Sequence, residues 1–177
     1  MASEAPQSAF SSPQEKLLLR LLSTADNLHR LFQQRLRPFG LTLTQYNVLR
    51  ILRAAPDPGL TCSAIGRSMI TPVPDITRLL ARLQTQRLIA QQRDKTDRRV
   101  VWTHITTTGL DLLAKLDATV DQAPRELFRT LSCQQVNELS LLLEQVMRGH
   151  GCQLAEPPPV SLSAAKRPAP TPPHQAE

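Results

Sequence analysis

Two groups of residues in this chain have types and spacing that could do chemistry. Thr71, Pro74, Arg78 and Arg82 recur at steps of three and four, which places them on one face of a helix. Lys95, Arg98 and Arg99 crowd the segment RDKTDRR, in which six of seven residues are charged. Guanidinium and ammonium groups set out this way bind anionic oxygens and hydrogen-bond acceptors. Nothing beside them suggests bond making or breaking. The four histidines, His29, His104, His150 and His174, stand far apart, with no partner at metal-ligand spacing. The six glycines form no phosphate-cradling loop. The expectation is therefore a binding protein with no catalytic residues, no metal and no cofactor.

The charge distribution says what kind of partner would bind. Of a formal net charge of +6, the stretch Thr61 to Thr106 supplies +5, from eight Arg and Lys against Asp75, Asp94 and Asp97. No Glu occurs between Glu15 and Glu126. A local basic field favours a polyanion such as DNA. The competing readings are a solvated basic face and a protein-interaction module. Three cysteines, Cys62, Cys133 and Cys152, are odd in number and widely spaced, which is neither a disulfide framework nor a zinc pattern and fits a reducing cytoplasm. Cys62 and Cys133 are the candidates for thiol redox sensing, Cys133 because it falls in the first turn of a helix, where a thiolate is favoured. No stretch is apolar enough to span a membrane, and no secretory signal is visible.

The elements that must position these groups are mainly helical. Leu18, Leu21, Ala25, Leu28, Phe32 and Leu36 make one stripe on a helix from Pro13 to about Arg37, wider than a small domain needs because Leu17, Leu22 and Leu31 extend it. Thr44 is expected to cap a second helix, with Leu43 stapled on Val48. Thr61 is expected to cap a third, running to about Ser68. Thr71 followed by Pro72 predicts the start of a fourth, Thr71 to Gln86, with Ile76, Leu79, Leu80 and Leu83 inward and a small or basic face outward. Then the period changes from 3.6 to 2. RLIAQQ and VVWTHIT pair as strands around the charged tip, with Trp102 either packing on the core or lining a ligand pocket. A fifth helix begins near Thr107 and is expected to kink or break at Pro124. Ser132 and Gln135 form a capping box for the sixth. Two short helices, a tight connection and a hairpin predict a mainly α, winged helix-turn-helix fold with a two-stranded β-hairpin wing. Asp97, an acid on a tip that would face phosphates, is expected to shape the wing by accepting hydrogen bonds from backbone N–H groups or from Arg99.

From about Gln14 to Met147 the chain resembles the MarR-type transcriptional regulators, most specifically in ITRLLARLQTQRLI followed by DRRVVWTHITTTG. Asp97, Arg98 and Arg99 supply the family's D-x-R, Ile105-Thr106 stands in for its Leu-Thr, and Gly109 matches its Gly. Arg87 stands where the family usually has Gly, and no Cys precedes Cys62, so the peroxide-sensing mechanism of some members does not transfer directly. The resemblance implies a homodimer with interlocking N- and C-terminal helices on a palindromic double-stranded DNA operator. It also implies repression as the commoner outcome, and release by a small-molecule effector or by thiol oxidation. The expected organisation is a lead over 1–12 and a winged domain over 13–150. That domain would comprise a DNA-binding lobe near 44–106 and dimerisation helices near 14–37 and 108–149. A disordered proline-rich tail would cover 151–177.

Overall fold

A computed structural model describes residues 12–149. These fall into two units that divide between Leu43 and Thr44. The first unit holds helix α1, Pro13–Leu36, and a 3-10 turn over Arg37–Phe39. Ser12 caps α1, its hydroxyl accepting from the Glu15 N–H at 3.1 Å, with Pro13 at the first helical position, where a missing N–H costs nothing. Ser12, the last residue of the expected lead, is the cap that precedes the helix. The rest of the lead and the expected tail, Cys152 included, lie outside the described residues. Gly40, at φ 70°, ends the 3-10 turn. The Gln33 side chain then holds the chain on both sides of the turn, donating to the Leu41 carbonyl and accepting from the Leu43 N–H. Leu17, Leu18, Leu19, Leu22 and Leu31 of α1 are all exposed.

The second unit contains α2 (Leu43–Ala54, whose first residue belongs to the preceding unit), α3 (Cys62–Ser68), α4 (Ile76–Thr85), strands β1 (Ile89–Arg93) and β2 (Val101–Ile105), α5 (Thr107–Leu127) and α6 (Cys133–Gly149). Its core is built from Val48, Leu49, Ile51 and Leu52 of α2, Ile65 of α3, Leu80 and Leu83 of α4, Ile89 of β1 and Leu113 and Leu116 of α5. The two strands pair antiparallel with Ile89 opposite Ile105 and Arg93 opposite Val101. Leu60 adds a bridge on the far side of β2, exchanging both backbone hydrogen bonds with Thr103. That close pass requires Gly59, which sits at φ 117° and whose added Cβ would collide with the Thr103 carbonyl. Arg53 of α2 grips Asp117 of α5 with one guanidinium nitrogen at 2.8 and 2.9 Å from the two carboxylate oxygens.

Three sequence expectations are corrected. Helix α4 begins at Ile76, not Thr71, and its cap is Asp75. A proline disfavours helical geometry in the residue before it, so Pro72 and Pro74 hold Thr71 and Val73 out of the helix. Helix α2 begins at Leu43, so Thr44 lies inside its first turn rather than capping it. Helix α5 runs through Pro124 to Leu127 instead of breaking there. Pro124 lies in the last turn, where the helix has only three more residues to lose. The remaining caps follow the sequence. Thr61 accepts from the Ala64 N–H, and Ser132 and Gln135 exchange reciprocal hydrogen bonds at the start of α6. No residue of α6 is buried within the single chain, and Leu139, Leu141, Leu142, Leu143 and Val146 are exposed.

Candidate nucleic-acid interface

Helices α3 and α4 with the β1–β2 hairpin define a winged helix-turn-helix. The corrected start of α4 changes which residues stand at its working end. Thr77 and Arg78 now occupy the first turn, and Ala81, Arg82 and Thr85 continue the exposed face, while Leu80 and Leu83 are buried opposite. Thr77 was missed by sequence reasoning because the helix was expected to start five residues earlier. Thr71 and Pro74 are exposed but lie on the approach to α4, not on its face. The N-terminal residues of a recognition helix are those that reach base edges, so the shorter helix moves Arg78 into that position.

The far end of α4 is a complete Schellman turn. The Leu88 N–H reaches the Leu83 carbonyl at 3.0 Å and the Arg87 N–H reaches Gln84 at 2.8 Å. Arg87 sits at φ 59°, the left-handed conformation that glycine adopts without cost. Thr106 then locks the base of the wing. Its hydroxyl donates to the Arg87 carbonyl at 2.7 Å and accepts from the Gly109 N–H at 3.1 Å, capping α5. Gly109 is required there because an added Cβ would collide with the Leu88 carbonyl and stand 2.7 Å from Ile105 Cγ1.

At the wing tip the acids and bases separate. Asp97 Oδ1 accepts from the backbone N–H of Arg99 at 2.9 Å, which leaves the Arg99 guanidinium out of the contact. Asp94 does more of the shaping. Its Oδ1 accepts from the N–H groups of Thr96 and Asp97 at 2.8 and 2.9 Å, and its Oδ2 takes the Trp102 indole N–H at 2.8 Å. These donors, the indole first and then the two backbone groups, hold the Asp94 carboxyl below the usual aspartate range. Sequence reasoning assigned Asp94 no role. Its turn to Thr96 and Asp97 is a local Asx pattern, whereas the Trp102 bond depends on strand register. Trp102 is half-buried within the hairpin, bound to this carboxylate.

With Asp75, whose Oδ1 accepts from the Arg78 N–H at 2.8 Å, every acid between Thr61 and Thr106 is bound to N–H donors of its own element. Among the described residues, none of the eight cations of that stretch is paired with an acid. Arg78, Arg82, Lys95, Arg98 and Arg99 are all exposed. The two candidate thiols both open helices. Cys62 opens α3, half-buried with its sulfur 3.9 Å from the Thr77 hydroxyl, and Cys133 opens α6, exposed. Among the described residues no group of three or more His, Cys, Asp or Glu could hold a metal, and no helix is long and apolar enough to cross a membrane.

Comparison with known proteins gives this architecture its family. A family model described as MarR family matches residues 39–100. The solved structure of a MarR transcription factor from Planctomyces limnophilus is 32% identical, with 77% of this chain and 98% of that one covered at a TM-score of 0.60. The chain of the Staphylococcus aureus MepR–DNA complex is 25% identical over 76% of this chain and 96% of that one, with a TM-score of 0.67. A putative transcriptional regulatory protein for the hcr operon of Thauera aromatica is 28% identical over 109 residues. That match spans 62% of this chain and 64% of the relative, a little under two-thirds of its length. The chain belongs to the MarR family of transcriptional regulators.

Proposed function

We propose that this protein is a cytoplasmic, sequence-specific DNA-binding regulator that acts as a homodimer on a palindromic operator. It represses transcription by occupying that site and leaves it when a small effector binds. Helix α4 enters the major groove, with Arg78 and Arg82 reaching guanine edges or phosphates. Thr71 and Pro74 line its approach, and Lys95, Arg98 and Arg99 of the wing meet the DNA backbone. The carrying observation is the sorting of charge, with three acids committed to N–H donors of their own elements beside exposed, unpaired cations. A solvated basic turn has no need of that sorting. The reading assigns the chain no reaction, metal or cofactor.

Dimerisation is supported by the exposed leucines clustered on α1 and α6, since grouped exposed apolar side chains mark interaction surfaces. The pair should bury well over the roughly 1,000 Å² of a specific interface. Sedimentation that finds only monomer at low micromolar concentration would overturn the dimer and the palindrome together. The DNA reading is tested by two variants on a footprinted upstream site. Arg98→Ala should weaken binding to all sequences alike and lower the salt slope by about one unit. Arg78→Ala should instead erode discrimination between the site and its mutants, by roughly 1–3 kcal/mol for a bidentate base contact. A protein that shows no salt-dependent binding to any duplex is not the regulator described here.

A further inference from the structure

Exposed large apolar side chains are confined to three places among the described residues. Two are α1 and α6. The third is a single residue, Ile70, half exposed at 50% in the turn between α3 and α4. Its neighbour Met69 is buried and ends α3, so the backbone turns Ile70 out of the core as α3 stops. The following residues, Thr71, Pro72 and Pro74, are exposed, and α4 begins at Ile76. Two prolines in five residues fix φ at their own positions and restrict the residues before them. The segment is therefore held in shape before any partner arrives, and ordering it costs little. Isoleucine, branched at Cβ, is stiff in the same sense. The surroundings are basic. Arg67 and Arg78 are exposed on either side, and no acid occurs between Asp57 and Asp75.

The N-terminal residues of a recognition helix contact base edges in the major groove, and Ile70 stands in the turn that leads into that end of α4. The major-groove edges offer one apolar group to such a side chain, the C5-methyl of thymine. We propose that Ile70 is a specificity residue that packs on a thymine methyl in each half-site. The inference rests on the DNA-binding reading of α4 and adds a base preference made by an apolar contact outside that helix. It also gives a reason for a branched aliphatic side chain to stand in water amid arginines.

The test uses the full chain. A preferred site is selected from random duplex DNA, and each thymine is then replaced singly by deoxyuridine, which removes the methyl and leaves the pairing edge intact. For the wild type, one position per half-site should lose about fourfold in affinity, the size expected for one methyl-sized group removed from contact. Ile70→Ser should bind the thymine site about fourfold per half-site more weakly and be indifferent to deoxyuridine at that position. Ile70→Val should keep part of the sensitivity. Matching thermal melts would show that the variants fold alike. If Ile70→Ser loses affinity but no deoxyuridine position affects the wild type, the contact is to sugar or is structural, and the inference fails alone. The same holds if Ile70→Ser retains the methyl sensitivity. If selection returns no preferred site, the DNA-binding reading of α4 fails, and this inference with it.

Discussion

Replacing Arg87 by glycine should make the protein more stable, although it removes a charged side chain from a helix end. Arg87 holds φ at 59° and is the one non-glycine among the described residues to do so. It cannot relax away, because its N–H is bound to Gln84, the next N–H to Leu83, and its carbonyl to the Thr106 hydroxyl. A left-handed conformation costs an L-residue roughly 1–2 kcal/mol. Glycine avoids that cost but loses more freedom on folding, roughly 0.5–1 kcal/mol. The backbone balance favours glycine by about 1 kcal/mol. Against it stands the attraction of a cation to the helix C-terminus, about 0.3–1 kcal/mol and screened by salt. Arg87→Ala separates the two contributions, since it gives up the charge and keeps the strain. In urea unfolding at one fixed protein concentration and high salt, glycine should exceed alanine by about 1 kcal/mol, and arginine should lie near alanine. In a chain of 177 residues that is roughly 2–4 °C in Tm. If alanine matches or exceeds glycine, the left-handed turn is not the strained point described here.

Three further outcomes follow from the geometry. Gly109→Ala should destabilise by roughly 1–3 kcal/mol through overpacking on the Leu88 carbonyl and Ile105, where helix propensity alone predicts a gain of about 1; an unfolding midpoint that rises would refute it. Asp94→Ala and Asp97→Ala should each weaken operator binding in an anisotropy titration despite removing a negative charge, and tighter binding by either would reduce the wing to a charged turn. The Asp94 carboxyl is held low, so its contribution is present above the ordinary aspartate range and lost as pH falls below it. The emission of Trp102, the single tryptophan, should shift in that acid window before the far-ultraviolet helix signal collapses, and Asp94→Asn should abolish the step.

Two caps in which a side chain bonds to backbone three residues away were legible in the sequence, whereas Asp75 on Arg78, with the same spacing, was hidden by the Thr71-Pro72 pair before it. Thr61 on Ala64 and Ser132 with Gln135 needed no tertiary information. The start of α4 misled because Thr71-Pro72 has the composition of a cap and first turn, and Pro74 then forbids what Pro72 permits. Of the kink or break expected at Pro124, the break is absent: α5 continues three residues past it to Leu127, although proline gives up its own bond to the carbonyl four residues back. The strain at Arg87 could not be seen until the end of α4 was fixed to the residue, because only the C′ position of a Schellman turn demands a positive φ. Asp94 was passed over for Asp97 because its strongest partner, Trp102, lies eight residues on and is brought back by the hairpin. Thr77 was hidden by the same misplaced helix start that gave Arg78 a middle position instead of a terminal one.

The charged tip RDKTDRR is accounted for by what its acids bind rather than by its charge count. A +5 excess spread over 46 residues could belong to any solvated face. In such a face carboxylates and guanidiniums meet in water, and each cation spends part of its field on a neighbouring acid. Here Asp75, Asp94 and Asp97 instead accept from peptide N–H groups, and Asp94 from an indole as well. Their charge is compensated by dipoles that have no other partner at a helix start or a tight turn. Each acid therefore shapes the backbone that carries an arginine two to four residues on, Arg78, Arg98 and Arg99. The acids' charge is thus committed to their own backbone, while the cations stay exposed and unpaired with acids. Replacing those acids by alanine would raise the net charge and disorder the surface that presents it, so net charge and affinity for DNA should move in opposite directions.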